Sequence, residues 1–229
     1  MNLLAFETAT EACSVAVFVD GAVRERFELA PRRHAELALP WAEELLAEAG
    51  IARSQLDAIA TGRGPGAFTG VRLAISIAQG IALALDRPVV PVSTLAALAM
   101  QSGGDVIAAI DARMGEVYLG AFRRAGDDVQ ALAAETVVKP ADAEIPQGAD
   151  WHGIGTGFAA ADGALRSRLQ AQLRNVDAAA LPHAADVARL AALAYARGEA
   201  LAPERVEPAY LRNHVALTLV EQQAQRAGR

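Results

Sequence analysis

Apolar positions along the chain recur with two different periods, and the changes from one to the other mark its elements. Residues 2–7 (NLLAFE) and 13–19 (CSVAVFV) read as strands separated by a polar turn. Asp20 and Gly21 lie between apolar runs, a strong signal for a tight hairpin, so 22–29 is expected as a third strand. From 33 to 49 the period changes. Leu37, Trp41, Leu45 and Ala49 recur every fourth residue, which predicts a helix bent at Pro40, where one backbone donor is missing. Residues 56–61 read as a short strand, 69–86 as an apolar helix, 88–93 as a strand and 94–100 as a short helix.

SGGD at 102–105 is the best linker in the chain. After it VIAAIDA (106–112) opens a second strand series, continued by 116–123 and 129–138, so the hairpin opening is repeated in pattern though not residue by residue. Residues 140–182, rich in Pro, Gly and Ala, are expected to be irregular, 184–197 to be a helix, and the tail from 199 to be mixed. This order predicts an α/β fold of two lobes with mixed sheets, 1–104 and a reduced 105–229, with room for the C-terminal tail to pack back on the first lobe.

The segment TGRGPGAFTG (61–70) places four glycines directly ahead of the most apolar helix. Thr69 can cap a helix starting at Gly70, and the glycines can turn free amides towards an anion. No Lys-Ser/Thr pair follows the last glycine, so the P-loop pattern is not met, and Arg63 and Arg72 have ordinary surface explanations. A tight start to the helix is the other reading. The helix carries two columns of small residues, Gly70, Ala74, Ala78 and Ala82 on one side and Ser76, Gly80 and Ala84 on another. With Val71, Ile75, Ile77, Ile81, Leu83 and Leu85 between them, almost no solvent face remains. Either the helix is sandwiched inside its own domain, or one side meets another chain with the 33–49 helix beside it. The expected contact set is Leu37, Trp41, Leu45, Val71, Ala74, Ile75, Ala78, Gln79 and Ala82. On that reading a bulky charge at Ala78 or Ala82 breaks pairing and spares the fold.

Composition narrows the possibilities. Apolar residues make up 53% of the chain, which excludes global disorder. The formal charge of -6, with no basic run longer than two residues, argues against the chain gripping nucleic acid by itself. Cys13 is the only cysteine, so no intrachain disulfide forms and a reducing compartment fits. No signal peptide is evident, and the apolar stretch 73–85 is too short to span a bilayer, so a cytoplasmic protein without a membrane is expected.

Catalytic candidates are sparse. Cys13 falls on a strand, where a buried structural thiol is the common case, and Ser76 has no GxSxG elbow around it. His34 and Glu36, two apart on a helix, point in different directions. The four histidines, 34, 152, 183 and 214, form no HExxH or HxxxH pair. GIGTG (153–157) has the look of a remnant phosphate loop, though an isolated glycine cluster is a weak sign.

Taken together, LLAFETATEACSVAVFVDG, RRHAELALP, TGRGPGAFTGVRLAISIAQGIAL, PVVPVSTLAALA and EPAYLRNHVA resemble the bacterial TsaB (YeaZ) family across nearly the whole chain, least at 125–180. The resemblance implies the actin/sugar-kinase ATPase superfamily, with two ribonuclease-H-like lobes. It also implies a role beside TsaD, the catalytic paralogue that moves a threonylcarbamoyl group onto the adenosine next to the tRNA anticodon. The ATPase TsaE is implied as a further partner, tRNA only through the complex, and a homodimer when the chain is alone. TsaD-like enzymes carry two metal-binding histidines in an HHMEGH motif, and the matching positions here are Thr94 and Leu98, which make a poor metal site. No metal or tightly bound cofactor is therefore expected, with ATP or ADP at most at a complex interface. Glu7 takes the place of the superfamily's phosphate-site carboxylate; with Thr8, Thr10, Ser14, Gly64 and Gly66 it outlines a vestigial nucleotide cleft, or those hydroxyls merely satisfy a turn. The resemblance thus favours a catalytically silent subunit. An independent ATPase or peptidase of the superfamily is the alternative, and an adaptor for tRNA a third.

Overall fold

The computed structural model describes residues 1–212; His214 and the end of the EPAYLRNHVA segment lie outside them. The first sheet contains β1 (Asn2–Glu7), β2 (Ala12–Val19), β3 (Ala22–Leu29), β4 (Ala58–Gly62) and β5 (Val89–Val92), in the order β3-β2-β1-β4-β5. β1, β2 and β3 form an antiparallel meander. Its second turn places both Asp20 (φ 49°) and Gly21 (φ 91°) in the left-handed region, the geometry that matches strand twist in a two-residue hairpin. β4 and β5 run parallel to β1, reached through α1 (His34–Ala49) and α2 (Phe68–Leu85). α1 ends at Gly50, left-handed at φ 69° and donating to the carbonyls of Leu46 and Ala47.

Strand alternation sends β1 to two cores. Leu4 and Phe6 join Val15, Val17 and Ile59 beneath Ala42, Leu45, Ala74 and Ala78 of α1 and α2. Leu3 and Ala5 join Ala16, Ala60 and Val90 on the opposite face. That face is covered by α5 (Ala184–Ala196), through Ala184, Val187, Ala188 and Ala191. A helix from the far end of the chain thus completes the first lobe.

A cluster of polar side chains fastens α5 there. Glu25 on β3 accepts hydrogen bonds from the Ser14 hydroxyl (2.7 Å) and the Ala185 amide (3.0 Å), while His183 Nδ1 lies 2.9 Å from its other oxygen. The Ala184 amide donates to Ser14 Oγ at 2.8 Å. Burial works to raise the Glu25 carboxyl, but the bonds from His183, Ala185 and Ser14 outweigh it and hold the group below its ordinary value. The bond to Glu25 raises His183 against the opposing effect of burial. His183 therefore adds stability below its unfolded value of about 6.5, and this is lost as pH rises through the raised folded value. Glu25 adds stability above its unfolded value, lost as pH falls. Glu25→Gln is expected to cost about 2 kcal/mol, more at pH 5.5 than at pH 8.5, in thermal melts at the two pH values. An equal loss at both would remove the charge of His183 from the account.

The second sheet has the order β11-β10-β6-β7-β8, built from β6 (Asp105–Arg113), β7 (Glu116–Ala125), β8 (Asp128–Ala131), β10 (Trp151–Ile154) and β11 (Leu173–Asp177), with β9 (Thr136–Val138) also pairing β7. α3 (Thr94–Ala99) packs between the sheets, with Leu95 and Leu98 against Val106, Ala108 and Phe122. The mixed α/β architecture in two lobes is as expected. The region 140–182 is not irregular, however: it supplies β10, β11 and α4 (Ala160–Leu169). The stretch 129–138 is two short strands rather than one.

Candidate functional site

The glycines of 61–70 answer to crowding by the turn that follows β1. A Cβ on Gly70 would lie 2.0 Å from the Thr8 carbonyl oxygen, and one on Gly66 2.5 Å from that of Ala9. The Ala67 amide donates to the Ala9 carbonyl (2.7 Å), and the Thr8 hydroxyl donates to the Gly70 carbonyl (2.7 Å). The first turn of α2 is thus pressed onto residues 8–9, and only glycine leaves the space. The helix starts at Phe68 with Ala67 as its cap and no side-chain cap bond, so Thr69 does not have the capping role expected of it. Gly70→Ala forces a methyl group onto backbone that cannot rotate away. An overpacking cost of about 1–3 kcal/mol is expected, read as a lower denaturant midpoint. An unchanged midpoint would mean that α2 slides freely over the turn.

Glu7 sits at the end of β1 with almost no exposed surface. Its Oε1 accepts from the Ala9 amide (2.7 Å) and its Oε2 from the Thr94 hydroxyl (2.9 Å). Burial pushes the carboxyl up to about 7, partly offset by these bonds. Gly62 makes the burial feasible, since a Cβ there would fall 2.0 Å from Oε2. A cavity of about 870 Å³ opens above, between the lobes, with Thr10 and Gly66 on its wall. Glu7, Thr8 and Gly64 are buried and do not line it, and the Gly64 carbonyl accepts from the Thr94 amide (2.9 Å). Ser14 belongs instead to the α5 anchor. The expected cleft residues are therefore neighbours, but the carboxylate and the Thr8 hydroxyl are engaged internally.

Thr94 and Leu98 do not suit a metal. The Thr94 hydroxyl is spent on Glu7, and Leu98 lies in the core between the sheets. Among the described residues no group of three or more His, Cys, Asp or Glu side chains is arranged around a common point for an ion. The glycines of GIGTG answer to close packing. A Cβ on Gly155 would meet the Ala109 carbonyl oxygen at 2.3 Å, and one on Gly153 the Phe158 ring at 2.7 Å. Cys13 is fully buried, and burial, with the charge of Glu28 adding to it, pushes its thiol up to about 11.

The two small-residue columns of α2 separate cleanly. The Gly70, Ala74, Ala78, Ala82 column faces the chain's own core, with Val71 and Ile75 beside it. Leu45, Ala74, Ala78 and Ala82 have no accessible surface and Val71 and Ile75 only 4%, so these six pack in the chain's own core instead of taking the contact role expected of them. Gln79 is also engaged, donating to the carbonyls of Pro203 (2.8 Å) and Val206 (3.3 Å). Leu37 and Trp41 keep partial exposure. The other column stays open: Ser76, Gly80, Leu83 and Ala84 are exposed, flanked by half-buried Leu73 and Ile77. These positions recur at three and four residues and form one stripe. Leu83 is 64% and Phe68 68% exposed, a large apolar display. The helix is also longer than its apolar stretch suggested. At 18 residues it is long and apolar enough to cross a membrane by that test alone, which core helices of soluble proteins pass as well.

Two sheets sharing one pattern, a carboxylate at the end of the first strand and a cleft between the lobes define a two-lobed α/β protein of the actin/sugar-kinase ATPase type. The family model for "TsaD: tRNA N6-adenosine threonylcarbamoyltransferase" matches residues 27–219. The tRNA threonylcarbamoyladenosine biosynthesis protein TsaB of Escherichia coli (strain K12) is 41% identical over 228 residues, 94% of this chain and 96% of that protein. Its counterpart in Haemophilus influenzae is 39% identical, over 94% of this chain and 95% of its own length. A solved structure described as YeaZ from Pseudomonas aeruginosa superposes with a TM-score of 0.86 at 46% identity, covering 92% of this chain and 99% of that one. Another, with the same coverage and score, is described as an uncharacterized protein with similarity to peptidase YEAZ. The chain belongs to the TsaB (YeaZ) family.

Proposed function

We propose that this chain is the non-catalytic subunit of a threonylcarbamoyl-transfer complex acting on the tRNA adenosine beside the anticodon. In this reading it binds and activates a TsaD-type catalytic subunit through the open stripe of α2, with Leu37 and Trp41 of α1 at its margin. The observation that carries the partner role is Gly80. A glycine inside a helix costs about 1 kcal/mol relative to alanine, yet a Cβ at Gly80 would meet nothing within 4 Å and its φ is ordinary. Nothing in its own fold calls for glycine there. A second helix lying close against Ser76, Gly80 and Ala84 does.

The internal engagement of Glu7, Thr8 and Thr94 supports the absence of independent catalysis, as does the inert thiol of Cys13. The net charge of -6 leaves tRNA to be gripped mainly by the partner. An ATPase of the TsaE type joins the pair, ATP or ADP occupies at most a site shared between subunits, and the free chain pairs with a second copy through the same stripe. The whole assembly works in the cytoplasm. The deciding experiment reconstitutes tRNA modification from purified components with this chain left out of one reaction. Modification is expected to fall to background and to return on adding the chain back. Equal modification without it overturns the reading and reopens the cavity as an independent active site.

A further inference from the structure

The described chain ends in a strap, residues 207–212, that has no regular secondary structure and crosses the mouth of the inter-lobe cavity. Pro208 to Arg212 line that cavity together with first-lobe residues such as Thr10, Phe68 and Arg72 and second-lobe residues such as Asp111 and Tyr118. The strap is bonded to both sides. The Ala209 amide donates to the Arg63 carbonyl just beyond β4 (2.8 Å), and Arg72 Nη2 donates to the Tyr210 hydroxyl (2.6 Å). Arg72 is itself held between two rings, with Cζ 3.3 Å from the centre of Phe68 and 5.1 Å from that of Tyr210. On the other side Arg212 donates to the Ala112 carbonyl (3.2 Å) and pairs with Glu116, at the start of β7. That pair is mostly shielded, with side chains 21% and 29% exposed, so solvent screens it only in part.

Among the described residues nothing else spans the opening in this way. Among the described residues no hydrogen bond runs directly from 1–92 to 105–177. The lobes are otherwise joined at α3 and α5, where Ser93 bonds Glu135, Arg124 bonds the Met100 carbonyl and Arg197 bonds Asp128. Two lobes joined through packed helices and tied once across the mouth have the anatomy of a hinge with a latch.

We infer that residues 207–212 are a latch that sets the opening of the inter-lobe cleft, fastened to the first lobe by Ala209 and Tyr210 and to the second by the Arg212–Glu116 pair. The inference goes beyond the partner reading and does not depend on it, since it concerns the free chain. Unfastening Arg212 leaves the hinge in place and lets the lobes part.

Pulsed dipolar spectroscopy tests this on the full chain with spin labels at Ala47→Cys on α1 and Gln170→Cys at the end of α4. Both sites are exposed, and buried Cys13 escapes labelling. Arg212→Ala is expected to broaden the distance distribution and shift it from that of the parent, and Glu116→Gln to move it the same way by less. The charge-reversed double variant Arg212→Glu with Glu116→Arg is expected to recover part of the change. Circular dichroism confirms that each variant is folded, and Glu116→Gln carries the test should Arg212→Ala fail to fold. Distributions identical to the parent in Arg212→Ala and Glu116→Gln overturn the latch. So does a shift that charge reversal leaves untouched.

Discussion

Gly80→Arg and Leu83→Glu are expected to abolish pairing with a TsaD-type subunit, and tRNA modification with it, while leaving the melting temperature of the free chain almost unchanged at concentrations too low for it to pair with itself. Both positions are exposed, and neither side chain contributes to a core cluster, so the fold loses nothing when they change. At the centre of a close helix–helix contact, however, a long charged side chain separates the backbones and loses its water. Gly80→Ala separates the two demands. In the free chain it removes a helix-interior glycine and is expected to stabilise by about 1 kcal/mol, whereas across a tight contact its methyl group weakens pairing. Ala78→Glu should do something different. Ala78 has no accessible surface, so the carboxylate enters the core and unfolds the protein. Light scattering of the mixed subunits, thermal melts of each variant and the reconstituted reaction together read all four. Normal pairing by Gly80→Arg and Leu83→Glu would place the partner elsewhere.

Glu7→Gln should remove a pH dependence. The folded chain holds a proton on Glu7 up to about pH 7, whereas the unfolded chain releases it near the ordinary glutamate value of 4.5. Between those values the native state binds the extra proton, so stability falls as pH rises through the window and stays low above it. The loss amounts to about 3 kcal/mol at most. Glutamine keeps an oxygen to accept from the Ala9 amide and has the shape of the protonated acid, but it cannot ionise. The variant is therefore expected to match the parent near pH 4.5 and to exceed it increasingly up to pH 8, in denaturant midpoints taken across that range. Parallel curves would show that the carboxyl does not titrate there.

The elements that the sequence announced are those whose pattern depends on one neighbour. The Asp20–Gly21 hairpin and the four-residue recurrence of α1 both follow from local chemistry, and both form where expected. β10 and β11 escaped notice for the opposite reason. Trp151–Ile154 is four residues long and contains Gly153, which no strand preference favours, and that glycine makes room for Phe158. Glycines demanded by a ring or a carbonyl across the fold look, in sequence, like glycines demanded by a phosphate. The columns of α2 posed a similar ambiguity. Alanine at 74, 78 and 82 and the Ser76, Gly80, Ala84 series are equally smooth, and only the position of the sheet decides which one is spent internally. That Glu7, Thr8, Thr10, Gly64 and Gly66 are neighbours was legible from the sequence. That the carboxylate answers to Thr94 and the Ala9 amide needed the third dimension.

The placement of α5 has a consequence for biosynthesis. The ribosome makes all of the first sheet before residue 93, but Leu3, Ala5, Ala16, Ala60 and Val90 lack most of their cover until residues 184–196 have left the exit tunnel. For about half the time of synthesis a finished sheet waits with one greasy face mostly bare, and the second lobe forms in the interval. The lobe that begins the chain is therefore the last to be completed.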